Sequence, residues 1–304
     1  MPELPDITVY LARLRTHVEG RTLKRIVLLN PFLLRTATPP IASAEGRKVV
    51  GLRRLGKRIV IALEGELFLV LHLMIAGRLR WLEAGRRPPG RISLALFEFD
   101  SGTLLVTEAG TKRRASLHLV AGESALAAMD PGGIDVLGAS LGDFTRRLQE
   151  ENHTAKRALT DPHLYSGIGN AYSDEILHRA RLSPLALTGQ MSPAEIARLH
   201  RATQEVLAEW AERLDAQAGP GFPAKVTAFH AQMAVHGRHG KPCPVCGAPV
   251  QRIVYARNEA NYCAPCQTGG RLLSDRALAR LLRDDWPKTL EDMERRLAAG
   301  KSGA

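Results

Sequence analysis

Cys243-Pro244-Val245-Cys246 and, sixteen residues on, Cys263-Ala264-Pro265-Cys266 decide how the C-terminal part of this chain folds. Two Cys-x2-Cys knuckles bring four thiolates tetrahedrally around one ion, and zinc is the usual occupant of such a site. With every position filled by sulfur there is no place left for water, so a single structural ion is expected. The chain has four cysteines and all lie here, which in a reducing compartment reads as metal ligation and not as a disulfide framework. Between the knuckles, residues 250–255 have the composition of a strand, residues 257–261 that of a polar turn, and Tyr262 leads back. The pattern predicts a β-hairpin whose tip presents Arg257 and Asn258 to a partner. His236, Arg238, His239 and Lys241 add basic and polar character just upstream.

The basic character extends to the whole chain. Among 304 residues, Lys and Arg number 42 against 31 Asp and Glu, a net charge of +11. Such a surplus attracts polyanions, so nucleic acid or an anionic membrane is the natural partner. At 45% hydrophobic and 24% charged the composition is that of an ordinary soluble protein. The longest apolar run, residues 67–76 interrupted by His72, is too short to span a bilayer, so no membrane partner is expected. The acidic start Met1-Pro2-Glu3-Leu4-Pro5-Asp6 lacks the features of a signal peptide, and the expected location is cytoplasmic.

Asp6 is suited to cap a helix in which Ile7, Tyr10, Leu11, Leu14 and Val18 recur at helical spacing before Gly20. Short runs at 58–63, 67–73 and 92–99 follow, separated by Gly, Pro or charged turns, and predict a β-sandwich or barrel. Residues 84–91 look like a basic loop. After Gly132 the pattern turns helical. Ser192-Pro193-Ala194-Glu195 is a capping box, and Ile196, Leu199, Val206, Leu207, Trp210 and Leu214 form one apolar stripe behind it. Leu272, Leu273, Leu278, Leu281 and Leu282 suggest another helical stripe near the C-terminus. The expected fold class is α+β. Its divisions are an N-terminal catalytic domain at 1–131, a helical domain at 132–235, a finger at 236–268 and a helical extension at 269–304.

Gly167-Ile168-Gly169-Asn170 precedes a helix beginning near Ala171. Glycines there let backbone amides approach a phosphate, and the helix dipole favours the anion. Lys156 is placed to supply a countercharge.

Together these residues resemble the formamidopyrimidine-DNA glycosylase/endonuclease VIII family, from Met1 to about Gln267. The likeness rests on Pro2-Glu3-Leu4-Pro5, on Leu55-Gly56-Lys57-Arg58, and on Lys156-x2-Leu159-x-Asp161 with Gly167-Ile168-Gly169-Asn170-x-Tyr172-x-Asp174-Glu175. It also rests on Val235-His236-Gly237-Arg238-x-Gly240-x-Pro242-Cys243 leading into the finger. The resemblance implies an N-terminal β-sandwich flanked by helices, then a helix-two-turn-helix domain with a C-terminal zinc finger. It also implies a monomeric bifunctional DNA glycosylase/AP lyase acting on damaged DNA. In that reading Pro2 is the nucleophile once Met1 is removed, Glu3 the general acid/base, and Lys57 a holder of the phosphate beside the lesion. Lys156 and Asn170 hold other phosphates.

Three departures from the family pattern stand out. The finger arginine that clamps the lesion phosphate is replaced by Asn258, with Arg257 one step earlier. In His72-Leu73-Met74-Ile75-Ala76-Gly77, the residue filling the gap left by a flipped base becomes Ile75, or Met74 after a slip. In Lys112-Arg113-Arg114-Ala115-Ser116, Arg113 keeps the arginine facing the orphaned base, but Ala115 stands where the family has a Phe wedge. Alternatives are an AP lyase or glycosylase for distorting or cross-linked lesions, a non-catalytic DNA- or RNA-binding protein, and a structural zinc protein. Pro2 and Glu3 argue against the last two, since binding alone needs no N-terminal amine.

Overall fold

The computed structural model describes residues 1–83, 88–110, 112–223, 229–255, 258–274, 280–281 and 286–301. The chain divides into two compact units, Met1–Asp135 with Leu207–Thr227, and Val136–Val206 with Ala228–Ala304.

The first unit opens on helix α1, Leu4–Val18. Its N-cap is Glu3, where the sequence pointed to Asp6. Pro5 fits the first turn because no amide is required there. Asp6 therefore falls at the third helical position, and its Oδ2 accepts from the Glu3 amide at 2.8 Å. Gly20 follows the helix at φ +76°, a conformation that favours glycine, and its amide donates to Val49 O at 2.9 Å.

Eight strands come next: β1 Thr22–Leu28, β2 Arg47–Leu55, β3 Arg58–Leu63, β4 Leu67–His72, β5 Gly77–Leu82, β6 Ser93–Phe99, β7 Gly102–Glu108 and β8 Ser116–Ala121. They pair antiparallel in the order β5-β7-β6-β1-β2-β3-β4-β8. At the centre, β1 meets β2 only at Thr22↔Lys48 and Leu23↔Arg47. The sheet therefore turns over at this seam. One core unites inward residues of both halves (Ile59 and Leu69 with Phe97 and Val106) and Ile7, Tyr10 and Leu14 of α1. This is the expected sandwich with its helix. β4 is apolar on both faces because Phe68 and Val70 pack with Val60 and with Leu126 of α2, Glu123–Ala127.

In the second unit, α3 spans Leu141–Gln149, α4 Ala155–Thr160 and α5 Asn170–Arg179. The unit boundary falls inside α6, Pro193–Ala218. Its capping box forms as expected: Glu195 Oε2 accepts from the Ser192 amide at 2.9 Å and Ser192 Oγ from the Glu195 amide at 3.3 Å. The finger hairpin is β9 Gln251–Tyr255 and β10 Asn258–Tyr262, with Tyr255 opposite Asn258. Residues 258–261, expected in a turn, are thus strand; Ala260 and Tyr262 are both buried, which alternation in a strand allows. After α7, Ala264–Thr268, the tail also departs from expectation. Leu272 and Leu273 are not helical. They pack with Ile253 and Tyr262, and the Leu273 amide donates to Tyr262 Oη at 2.7 Å. Leu290 and Met293 of α8, Leu290–Lys301, pack against the same cluster, so the tail completes the finger's small core. Leu278 and Leu282 lie outside the described residues.

Candidate active site and nucleic-acid interface

Pro2 and Glu3 are buried at the head of α1. Burial holds the α-amino group of Met1 below its ordinary value; Glu3 and Asp6 pull it up, while Arg78 and Lys57 press it down further. Burial also lowers the Lys57 ammonium, against the opposing charge of Glu3. Lys57 sits with Gly56 (φ +62°) in the two-residue turn between paired Leu55 and Arg58. Asp6 is pushed up to about 7 by burial, although the Glu3 amide it accepts works the other way. The turn between β2 and β3 thus brings Lys57 within electrostatic reach of Glu3 and the N-terminal amine. Arg78, at the start of β5, belongs to this cluster and went unnoticed in the sequence. Its Nη1 donates to Gly77 O at 2.6 Å and to Ile75 O at 3.2 Å, tying the charged cluster to the next feature.

That feature is the turn from His72 to Gly77. Met74 has φ +51°, and its amide donates to His72 Nδ1 at 3.1 Å. Burial, then Arg58 and Lys57, push His72 down to about 4, so its ring is neutral near pH 7 with the proton on Nε2. The Gly77 amide donates to Leu73 O at 2.9 Å, and a Cβ on Gly77 would stand 2.2 Å from that oxygen. Glycine is therefore required to close the turn. The turn displays Ile75, which is 60% exposed, and leaves Met74 half-buried. Of the two candidates, Ile75 is the one at the tip.

Arg113 is exposed between exposed Lys112 and Arg114, and its guanidinium donates to Arg91 O. Ala115 is 4% exposed and belongs to the sandwich core. Its amide and that of Arg114 both donate to the buried Glu108 carboxylate, at 3.1 and 3.0 Å. The position compared with a stacking wedge is therefore a core position here, held inward by Glu108.

In the second unit Lys156 is not the surface lysine that a phosphate clamp suggests. It is 3% exposed, with Nζ 2.5 Å from Asp174 Oδ1 and 2.7 Å from Asn170 O. Asp174 Oδ2 takes His236 Nδ1 at 2.7 Å and Asn261 Nδ2 at 3.1 Å. Glu175 accepts the amides of Ala234, Val235 and His236 at 2.7, 2.9 and 2.9 Å. The helix-two-turn-helix and the finger are thereby bound through adjacent acidic residues of α5. Asn170 opens α5 behind Gly167 at φ +91°. The sequence motif contains Asp174 and Glu175 but gives them no role, and nothing in it names His236 or Asn261 as their partners.

The sulfurs of Cys243, Cys246, Cys263 and Cys266 all lie within 4.8 Å of one another. A zinc–sulfur bond of about 2.3 Å implies tetrahedral edges of about 3.8 Å, so the donor set and its spacing suit a metal ion. Asn258 begins β10 at the hairpin end; Arg257 lies outside the described residues. Among the described residues no helix is long and apolar enough to cross a membrane.

The sequence profile of the formamidopyrimidine-DNA glycosylase N-terminal domain matches residues 1–114, and that of the family's H2TH domain matches residues 138–217. A formamidopyrimidine-DNA glycosylase of Thermus thermophilus is 37% identical over 287 residues, covering 89% of this chain and 100% of the relative. The crystal structure of the MutM (Fpg) protein from Thermus thermophilus is similar at TM-score 0.74 and 34% identity, over 88% of this chain and 98% of that one. Fpg of Lactococcus lactis, solved with DNA containing N7-benzyl-Fapy-dG, shares the fold at TM-score 0.79 and 22% identity, over 88% and 100% of the two chains. With both domains matched in order and a relative aligned over its full length, this chain belongs to the formamidopyrimidine-DNA glycosylase family.

Proposed function

We propose that the protein is a base-excision DNA glycosylase with AP-lyase activity, working through the amine of Pro2 once Met1 is removed. The observation that carries this reading is the buried head of α1, where Pro2 and Glu3 lie in the charged environment of Lys57, Arg78 and Asp6. Burial that lowers the Met1 amine favours a neutral, nucleophilic nitrogen, and the same environment surrounds Pro2. The Pro2 nitrogen attacks C1′ of the damaged nucleotide. The glycosidic C–N bond breaks and the base leaves with the proton given up by the Pro2 nitrogen. The sugar ring then opens as the nitrogen lone pair displaces O4′ from C1′, with Glu3 protonating O4′ as general acid/base. The resulting iminium acidifies C2′–H; loss of that proton forms the C2′–C3′ double bond and expels the 3′-phosphate. Water then hydrolyses the iminium and frees Pro2.

Lys57 positions the phosphate beside the lesion, Ile75 fills the space of the extruded base, and Arg113 faces the orphaned one. At α5 a phosphate meets Asn170 and the helix amides, with Lys156 contributing its charge from behind. Zinc on Cys243, Cys246, Cys263 and Cys266 anchors the hairpin that carries Asn258. Borohydride added during incubation with abasic-site DNA is expected to trap a covalent adduct, and Pro2→Ala to abolish it. An adduct of undiminished yield from Pro2→Ala would move the nucleophile to another amine.

A further inference from the structure

One face of α5 holds the finger at two places. Asp174 and His178 are one turn apart on this helix and therefore share a face. Asp174 grips His236 and Asn261 on the hairpin side. His178 reaches the metal knuckle: its Nε2 lies 3.3 Å from Cys243 Sγ, and both residues are buried, at 6% and 3% exposure. The Val245 amide approaches the same sulfur at 3.5 Å. Neither the catalytic reading nor the four-cysteine pattern gives His178 a task.

We propose that His178 is a positioning residue for the metal, donating Nε2–H to the Cys243 thiolate. A cysteine that ligates a metal has lost its proton, so in the loaded finger the hydrogen between these atoms comes from the imidazole. Such a bond withdraws charge from the sulfur, lowers its affinity for a competing proton, and slows its departure from the metal. It also fixes the sulfur's direction, as outer partners of metal ligands commonly do. Because the donor stands on the helix that Asn170 begins, metal loading and the orientation of that helix end become one mechanical property.

The inference rests on the finger holding zinc, and the test separates the two. Full-length wild type, His178→Phe and His178→Gln are loaded with zinc, assayed for metal content, and challenged with a chromogenic chelator. His178→Phe, which cannot donate, is expected to release zinc about tenfold faster or more. His178→Gln keeps an amide donor and should recover part of the difference. In the cobalt-substituted proteins the thiolate-to-metal charge-transfer band should shift in the Phe variant and less in the Gln variant. Equal release rates and an unchanged band in His178→Phe overturn the proposal, whereas wild type without metal overturns the zinc reading instead. Should the Phe variant fail to fold, cadmium-loaded wild type decides. Scalar coupling between a spin-½ cadmium isotope and the His178 Nε2–H proton is expected, and its absence counts against the bond.

Discussion

Asp6 answers two demands that conflict. As the third residue of α1 it accepts the Glu3 amide, which favours a carboxylate, yet it is buried almost completely, which favours the acid. Burial prevails and the group titrates at about 7, against an ordinary 3.8. Between those values the folded protein binds a proton that the unfolded chain does not. The contribution of Asp6 to stability is therefore full below about pH 4, falls as the pH rises toward 7, and stays low above it. His72 works oppositely: its folded value of about 4 lies below the ordinary 6.5, so its contribution rises across that interval. Comparing the protein with Asp6→Asn cancels the histidine. In urea unfolding, the stability of wild type relative to Asp6→Asn should fall by about 2–3 kcal/mol from pH 5 to pH 8. Curves that stay parallel would mean Asp6 is ionised throughout. The sequence placed Asp6 at the head of the helix, but as its cap. Its pairing with the Glu3 amide and its acidity were not legible, because the latter depends first on burial in the folded unit and only last on Arg78, distant in the chain.

At the scale of elements, hydrophobic patterning carried most of the fold. Residues 58–63 were expected as a strand and are β3, and the runs near 67–73 and 92–99 are β4 and β6 within a residue at either end. Patterning failed where one alternation served another purpose. Leu272 and Leu273 look like the start of a helical stripe but are adjacent residues wedged under Tyr262. For Lys156 the sequence left a structural partner unseen. A lysine near a glycine-rich helix start reads as a phosphate ligand, but its main partner here is Asp174, buried completely in the same unit. Removing one member of a buried ion pair leaves the other uncompensated. Lys156→Met should therefore lower unfolding stability by about 3 kcal/mol, seen as an earlier thermal transition, in addition to weakening DNA binding. An unchanged transition with weakened binding would mean that the pair with Asp174 adds nothing to stability and that Lys156 serves DNA binding alone.

At the scale of the molecule, a charge of +11 supplies affinity for DNA that does not depend on sequence or on damage. Under the proposed function, ease of leaving the stack contributes to telling a damaged nucleotide from its neighbours. A side chain inserted into the duplex helps to hold it open while the base is out. From Lys112 to Ser116 the exposed side chains are cations, and Ala115 is committed to the sandwich core. A Phe at 115 would have to enter that core, where overpacking costs about 1–3 kcal/mol, so the wedge cannot be restored by a single exchange. Ile75 remains as an apolar tip, without the flat surface that stacks on a base. A missing aromatic contact is worth about 1–3 kcal/mol, or about 5- to 150-fold in rate. The loss weighs on extrusion of a well-stacked base and little on one already unstacked. We therefore expect kcat/KM for 8-oxoguanine paired with cytosine to be at least about tenfold below that for the same base in an unpaired bubble. Ring-opened and other helix-distorting lesions should follow the bubble. Ile75→Ala should lower activity on the paired substrate more than on the bubble, since the tip matters only where a gap must be filled. Equal kcat/KM on the two substrates would show that another part of the molecule keeps the duplex open.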